Sequence, residues 1–191
     1  MNERNKLSKL VTDLNLNAQT AWLQKIELFS INRFPKLSIN DLKLYGCRSY
    51  QVKLAPYYFF DHLSKENDFE FKIAKDASNI YFNSYKIDLN SKDALLLKIH
   101  IGSRHSSRRK YFAYVLIDKS QQKLKAIVGH CCGCKVGKRV IGCCSHVMTI
   151  LWYFGYAQYK KLEQIAPDHL QILKSLCDID SDDSTEIKHI Q

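Results

Sequence analysis

Five of the seven cysteines lie between Cys131 and Cys144, and His146 follows two residues later. Thiolate and imidazole are the ligands a tetrahedral zinc site draws on, four at a time. Cys132-Gly-Cys134 places two thiols at i and i+2, which leave the same face of an extended chain. Gly133 between them lets the backbone turn tightly. Cys144-Ser-His146 supplies a second pair where a helix begins, and the amides of a helix N-terminus favour a thiolate. Gly137 and Gly142 help the intervening loop double back, which gives the pattern C-x-C-x9-C-x-H. Spacing alone leaves a second set open: Cys131-x-x-Cys134 with Cys143-x-x-His146. It also leaves open structural thiols or a disulfide, although clustered cysteines in a reducing compartment are more often metal ligands. His130, next to the cluster, is a competing ligand by position, although it reads more readily as a strand-end residue or a support for the ligands.

Either set fills all four zinc positions with protein, so a Zn2+ cofactor held there is expected to be structural, with no open position for substrate. No Ser-His-Asp grouping or phosphate-binding glycine loop accompanies it. Asp61, Asp68 and Glu70 are scattered acids whose spacing does not define a two-metal site. The chain is therefore not expected to be an enzyme, and no small-molecule substrate is implied.

Charge points to a partner. The net charge is +10, with a pI near 9.2. From Lys98 to Arg139 the chain carries eleven Lys or Arg residues against one acid, Asp118. Arg104, Arg108, Arg109 and Lys110, with His105, fall in what reads as a basic hairpin loop from Gly102 to Lys110. Lys135, Lys138 and Arg139 fall inside the cysteine loop. Loops of this kind contact phosphates in a salt-sensitive way that depends little on sequence. They are also ordinary solvated turns in many proteins, and Tyr111 and Phe112 beside them read as strand core before base-stacking residues. No apolar run approaches the roughly 20 residues of a membrane span, and the first residues lack the apolar core of a secretory signal. An intracellular location is expected, with the nucleus a candidate, and no membrane partner.

The elements that position these residues read as α+β. Leu7, Leu10, Val11 and Leu14 fall at helical spacing, as do Trp22, Leu23, Ile26 and Phe29, with a break at 15–17. Ser38-Ile-Asn-Asp41 has the form of a helix start, and Gly46 is a natural stop. The aromatic stretch from Cys47 to Lys65 reads as a helix that is either kinked at Pro56 or starts there, and its aromatic residues read as core. Residues 67–90 are ambiguous. Leu95, Leu97, Ile99 and Ile101 alternate as a strand. Tyr111 to Ile117 is apolar on both faces, as an interior strand would be. Leu124, Ala126 and Val128 suggest a third strand that runs into the cysteines. Val147, Ile150, Leu151 and Phe154 mark one apolar helix face after them, and a short helix is expected near Pro167-Asp168. Asp178 to Glu186 reads as a solvated acidic tail. The expected organisation is a helical region over 1–66, a small antiparallel sheet with a zinc knuckle and helix over 91–162, and a short helix and tail over 163–191.

With these elements in place, the chain resembles the SWIM-type zinc finger, whose pattern is C-x-C, a variable loop, then C-x-H. Cys134-Lys-Val-Gly137, Gly142-Cys-Cys-Ser-His146 and the helix from Val147 to Ala157 look like the SWIM segments of transposase-derived proteins. The stretches Ser103 to Phe112 and Phe34-Pro-Lys-Leu37 also look like parts of those proteins, so the resemblance covers about residues 34–160. Pro56 departs from the smooth helix the resemblance implies. The resemblance implies the ligand set Cys132, Cys134, Cys144 and His146, and a role in contacting DNA, another nucleic acid or a protein. The catalytic domain of the transposase relatives is longer than this chain has room for. Residues 1–33 would then be the last helices of such a domain. A protein-interaction adaptor with a purely structural zinc is the alternative.

Overall fold

The computed structural model describes residues 3–16, 18, 23–25, 34–47, 49–63, 69–74, 80–103, 106–137 and 142–165. Its elements run α1 (Glu3–Asp13), β1 (Leu23–Lys25), α2 (Ile39–Tyr45), α3 (Ser49–Leu63), β2 (Phe69–Ala74), β3 (Ala94–Ser103), β4 (Ser106–Asp118), β5 (Ile127–Cys132), α4 (Ser145–Gly155) and α5 (Leu162–Ile165). The fold is α+β, as the sequence reading expects.

The five strands form one antiparallel sheet in the order β1-β2-β3-β4-β5. Strand alternation sends successive side chains to opposite faces, and here both faces are covered. Leu95, Leu97, Ile99 and Ile101 of β3 join Ala113, Val115 and Ile117 of β4 in a core beneath α2, α3 and α4. Their neighbours Leu96, Tyr114 and Leu116 face a second core, closed by Leu7, Leu10 and Val11 of α1 and by Ile80, Phe82 and Ile87. Burial on both sides is why the paired stretches Ala94–Leu97 of β3 and Ala113–Ile117 of β4 are apolar throughout. Just beyond the apolar stretch of β3, Lys98 is buried on the α1 side. Its Nζ donates to the Leu16 carbonyl at 2.9 Å and lies 4.5 Å from the centre of the Phe112 ring, which ties the end of α1 to the sheet.

Several local expectations hold. Asn15 takes a left-handed φ of 48° just past α1, at the expected break. Ser38 and Asp41 form a reciprocal capping box at the start of α2. Gly46 ends α2, although it is Cys47, with φ 55°, that adopts the left-handed turn.

Other expectations change. The apolar spacing over 22–29 predicted a helix, but Leu23–Lys25 pairs with β2 as an edge strand. A short run with apolar residues three and four apart is ambiguous until a partner strand is present. Trp22, Ile26 and Phe29 lie outside the described residues, as does the helix expected at Pro167-Asp168. Of the two readings of the aromatic helix, a start at Pro56 is excluded, because the helix over Ser49–Leu63 carries Pro56 in its interior. The third strand begins later than expected: Lys123–Ala126 is a 3-10 turn opened by Lys123 at φ 51°, and β5 then carries pairing on to Cys132. The Gly102–Lys110 loop is mostly strand. The β3–β4 pairing reaches Gly102↔Lys110, shifts register, and ends at Ser103↔Ser106, so Arg108, Arg109 and Lys110 belong to β4, with Arg108 and Arg109 in the irregular stretch. Finally, α4 is not one-sided. Every residue from His146 to Gly155 is buried, as expected for a helix apolar around its whole circumference. Among the described residues, no helix is long and apolar enough to cross a membrane.

Candidate metal centre

The end of β5 and the start of α4 meet on the first face of the sheet. The Gly133 N–H donates to the Phe112 carbonyl at 3.0 Å and carries β-like pairing one residue past the strand. Cys132 and Cys134 therefore leave the chain on the same side, as their i, i+2 spacing requires. The chain then turns over Cys134–Gly137, and the Gly137 N–H donates to the Cys134 Sγ at 2.9 Å. A Cβ on Gly137 would lie 2.9 Å from both that sulfur and the Cys132 carbonyl, so only glycine fits this turn.

On the returning side, Gly142 takes φ +83°, and a Cβ there would sit 2.5 Å from the Gly46 carbonyl. The loop thus lands against the turn between α2 and α3. Cys144 is the extended N-cap residue of α4, and its carbonyl accepts the first helical hydrogen bond, from Met148. His146 follows within the first turn of that helix. The far end of α4 is strapped by the 34–37 segment: the Leu37 N–H donates to the Gly155 carbonyl at 2.7 Å, and Phe34 packs on Phe154 with ring centres 5.6 Å apart.

These elements bring Cys132, Cys134, Cys144 and His146 together. All four are buried, and their ligand atoms lie within 4.8 Å of one another. His146 Nδ1 is 3.7 Å from the Cys132 Sγ and 3.9 Å from the Cys144 Sγ. A tetrahedral ion with bonds of about 2.3 Å to sulfur and about 2.0 Å to nitrogen sets its ligands roughly 3.5–3.8 Å apart. The donor set and its spacing therefore fit a metal ion.

Three thiols this close share protons among themselves. Hydrogen bonds from Cys132 and then Cys144 hold the Cys134 thiol well below the usual thiol range, and the Gly137 N–H adds to this. The Cys132 thiol is raised, first by the proton it donates to Cys134, then by its bond to Cys144 and by burial. A bond from Cys132 pulls Cys144 down, but its own bond to Cys134, burial and the Cys134 charge outweigh it and push Cys144 up to about 12. A cation among them reverses this balance, because a coordinating thiol loses its proton outright.

The alternative set is not assembled. Cys131 and Cys132 are adjacent in β5 and face opposite sides, so Cys131 packs against the α1-side core. Cys143 is buried in the first core but is not part of the four-residue group. None of the six described cysteines forms a disulfide. His130 does not join the group, and its Nδ1 lies 2.7 Å from the Tyr45 hydroxyl.

Reasoning from sequence missed the two side chains that hold the histidine. Tyr58 of α3 meets the His146 ring edge-on at 5.1 Å, and Tyr111 of β4 packs against it at 5.3 Å. The aromatic density of 57–60 was the available signal, but nothing local told which ring would turn toward the cluster. Phe112 stacks on His100 at 4.7 Å and is engaged within the protein. Of the basic residues expected to contact a partner, Lys135 is exposed on the Cys134–Gly137 turn. Arg108, Arg109 and Lys110 lie along β4, and Arg104, Lys138 and Arg139, with His105, lie outside the described residues.

No protein-family model matches the chain, and no curated protein or solved structure matches it either. The class that the site defines is a protein with a buried Cys3His cluster able to hold a metal ion.

Proposed function

We propose that Cys132, Cys134, Cys144 and His146 bind one zinc ion in a SWIM-type arrangement that organises a nucleic-acid-binding module. The observation that carries this reading is the buried convergence of four soft donors within 4.8 Å. Three thiolates and one imidazole suit zinc better than the hard, oxygen-seeking divalent ions. Four protein ligands leave no position for a reacting molecule, so the ion is structural and the module is not an enzyme. What the chain's own residues do is hold the ion. β5 and α4 deliver the ligands, Gly137 buttresses one sulfur, and Tyr58 and Tyr111 orient the imidazole.

The surplus of cations between Lys98 and Arg139 supports a phosphate-bearing partner. Arg104, Arg108, Arg109, Lys110, Lys135, Lys138 and Arg139 are the residues proposed to contact it. The SWIM resemblance supports a transposase-derived origin. The competing reading is a protein adaptor with the same structural zinc, and it is favoured by the exposure of Val136 beside the centre.

Zinc stoichiometry on the purified chain tests the site. One zinc per chain is expected, lost in Cys132→Ser and kept in Cys131→Ser. No zinc in the wild type under reducing, metal-replete conditions would sink the reading. A salt-dependent electrophoretic shift of DNA separates the nucleic-acid role from the adaptor role.

A further inference from the structure

The strap before α2 and the β4–β5 turn face each other across a cleft of about 560 Å³. That volume is within the range of small-molecule sites. One wall runs along the strap to Ser38 and on to Asp41, and the other is Gln121, Gln122 and Lys123. Both walls are fixed from behind. The Leu37 N–H donates to the Gly155 carbonyl at 2.7 Å, and the Tyr159 hydroxyl donates to the Phe34 carbonyl at 3.3 Å. Across the cleft, the Gln121 N–H donates to the Asp118 carbonyl, and the Ser120 N–H and hydroxyl donate to the Asp118 carboxylate. Lys123 takes a left-handed φ of 51°, uncommon for a residue with a side chain. Backbone strain of this kind persists where the surroundings impose it, and it gathers at binding sites.

The polar groups of the cleft have a defined pattern. Asp41 accepts both Ser38 bonds, from the N–H and the hydroxyl, on one oxygen, Oδ2, which leaves Oδ1 as an acceptor. Among the described residues, no hydrogen bond or ion pair holds the side chains of Gln121, Gln122 or Lys123. Lys123 acts on the Asp41 carboxylate through charge alone. Lys36 sits on the rim, over the Tyr159 ring at 5.4 Å. The cleft thus presents a carboxylate oxygen, two amides that both donate and accept, and two ammonium groups. A simple anion would satisfy the lysines but meet the carboxylate. An amino acid would satisfy the charges but leave the amides unused. We infer that the cleft binds a nucleotide whose base carries an exocyclic amine. The amine meets Asp41 Oδ1, the base edge meets the Gln121 and Gln122 amides, and the phosphate meets Lys123 and Lys36. Aspartate accepting from the cytosine amine and glutamine pairing with a base edge are known readout contacts. Uracil places a carbonyl where cytosine carries its amine, and that carbonyl would face the carboxylate. The nucleotide is either free or one unit of a strand, so the inference goes beyond the phosphate contacts proposed above and does not depend on them.

The test is titration of the full, isotope-labelled, zinc-loaded chain with cytidine monophosphate, uridine monophosphate and inorganic phosphate, read by NMR on the Gln121 and Gln122 side-chain amides. Cytidine monophosphate is expected to shift these signals saturably. Uridine monophosphate should bind about 5- to 150-fold more weakly, the discrimination one base contact provides. Asp41→Asn should narrow that preference, and Lys123→Gln should weaken both nucleotides alike. Zinc content and far-UV circular dichroism equal to wild type establish that each variant is folded. Oligocytidine separates the two sources. Shifts of the same signals at lower concentration than the mononucleotide needs would place the nucleotide in a strand, and shifts by the mononucleotide alone would make the ligand free. Equal binding of the two nucleotides, equal competition by inorganic phosphate, or no shift of either amide at millimolar ligand overturns the inference. Oligocytidine that binds while both amide signals stay in place overturns it as well, and leaves the nucleic-acid reading standing.

Discussion

The two faces of the sheet solve the same problem with different chemistry. On the α1 side, apolar side chains from β3, β4 and α1 meet directly, and the buried cation Lys98 has a carbonyl and an aromatic face to receive it. On the α4 side, the apolar core is continuous with three buried thiols and an imidazole. The first face satisfies its polar group from within the chain. The second concentrates donors that a cation satisfies better than the protein does, because three close thiols cannot ionise together unaided. One face should therefore depend on metal and the other should not.

Removing the metal breaks this comparison most sharply. Apparent zinc binding energies for structural sites reach about 10–16 kcal/mol. Cys132→Ser, or chelation of the wild type, is therefore expected to abolish hydrogen-exchange protection across α4 while Leu7–Val11 and the Leu96 region keep theirs longer. Uniform loss on both faces would mean the two cores fold as one unit.

Leu10→Ala probes the other side. Leu10 is fully buried, and truncating such a residue costs about 2–5 kcal/mol. Thermal unfolding should shift down strongly while zinc stoichiometry stays unchanged, and loss of zinc would couple the faces.

Gly137→Ala perturbs the metal side without touching a ligand. Its Cβ would press on the Cys134 Sγ and the Cys132 carbonyl at 2.9 Å. Zinc affinity should fall about 10- to 100-fold, the range seen when groups supporting a ligand are altered. A competition titration against a chromogenic chelator measures it.

The smallest effect lies at the start of α2. Ser38 donates its backbone N–H to the Asp41 carboxylate and its hydroxyl bonds it as well, so this carboxyl is held below the ordinary aspartate range. A carboxyl lowered by folding contributes stability that is fully present above the unfolded-state value, about pH 4. That contribution is lost as pH falls through the lower folded-state value. Asp41→Asn should therefore be less stable than wild type at neutral pH, by under about 1 kcal/mol. The gap should close in acid, with zinc binding at neutral pH unaffected. A gap that widens in acid would contradict the assignment.

Much of the site is legible in the sequence. The two C-x-C/H pairs, the glycines that turn the loop and the apolar helix behind them are local patterns. Local patterns are read directly from spacing. The choice between Cys132 and Cys131 is not local, because both spacings are plausible for zinc. It is decided by the register of β5 against β4, which pairs Ala113 with Cys132 and Tyr114 with Cys131 and so sets which thiol faces α4. The expected helix at 22–29 failed for a related reason. Its middle residues gain a ladder with β2, and a ladder is a long-range partner that periodicity does not contain. The basic hairpin loop failed because extended backbone continues past Lys110 through a shift in the β3–β4 register to the Ser103–Ser106 pair, a long-range partnership that residue charge does not reveal.

Sequence by itself determined that this protein carries a Cys-and-His cluster ahead of an apolar helix, a strongly basic central stretch and strands of period two. Those follow from residue identity and short-range geometry. Only the tertiary structure decided that the sheet has five strands and is buried on both faces, that Tyr58 and Tyr111 grip His146, and that Cys131 stands apart from the centre. These depend on which surfaces meet, and contacts between residues far apart in the chain are set by packing and register rather than by any local pattern.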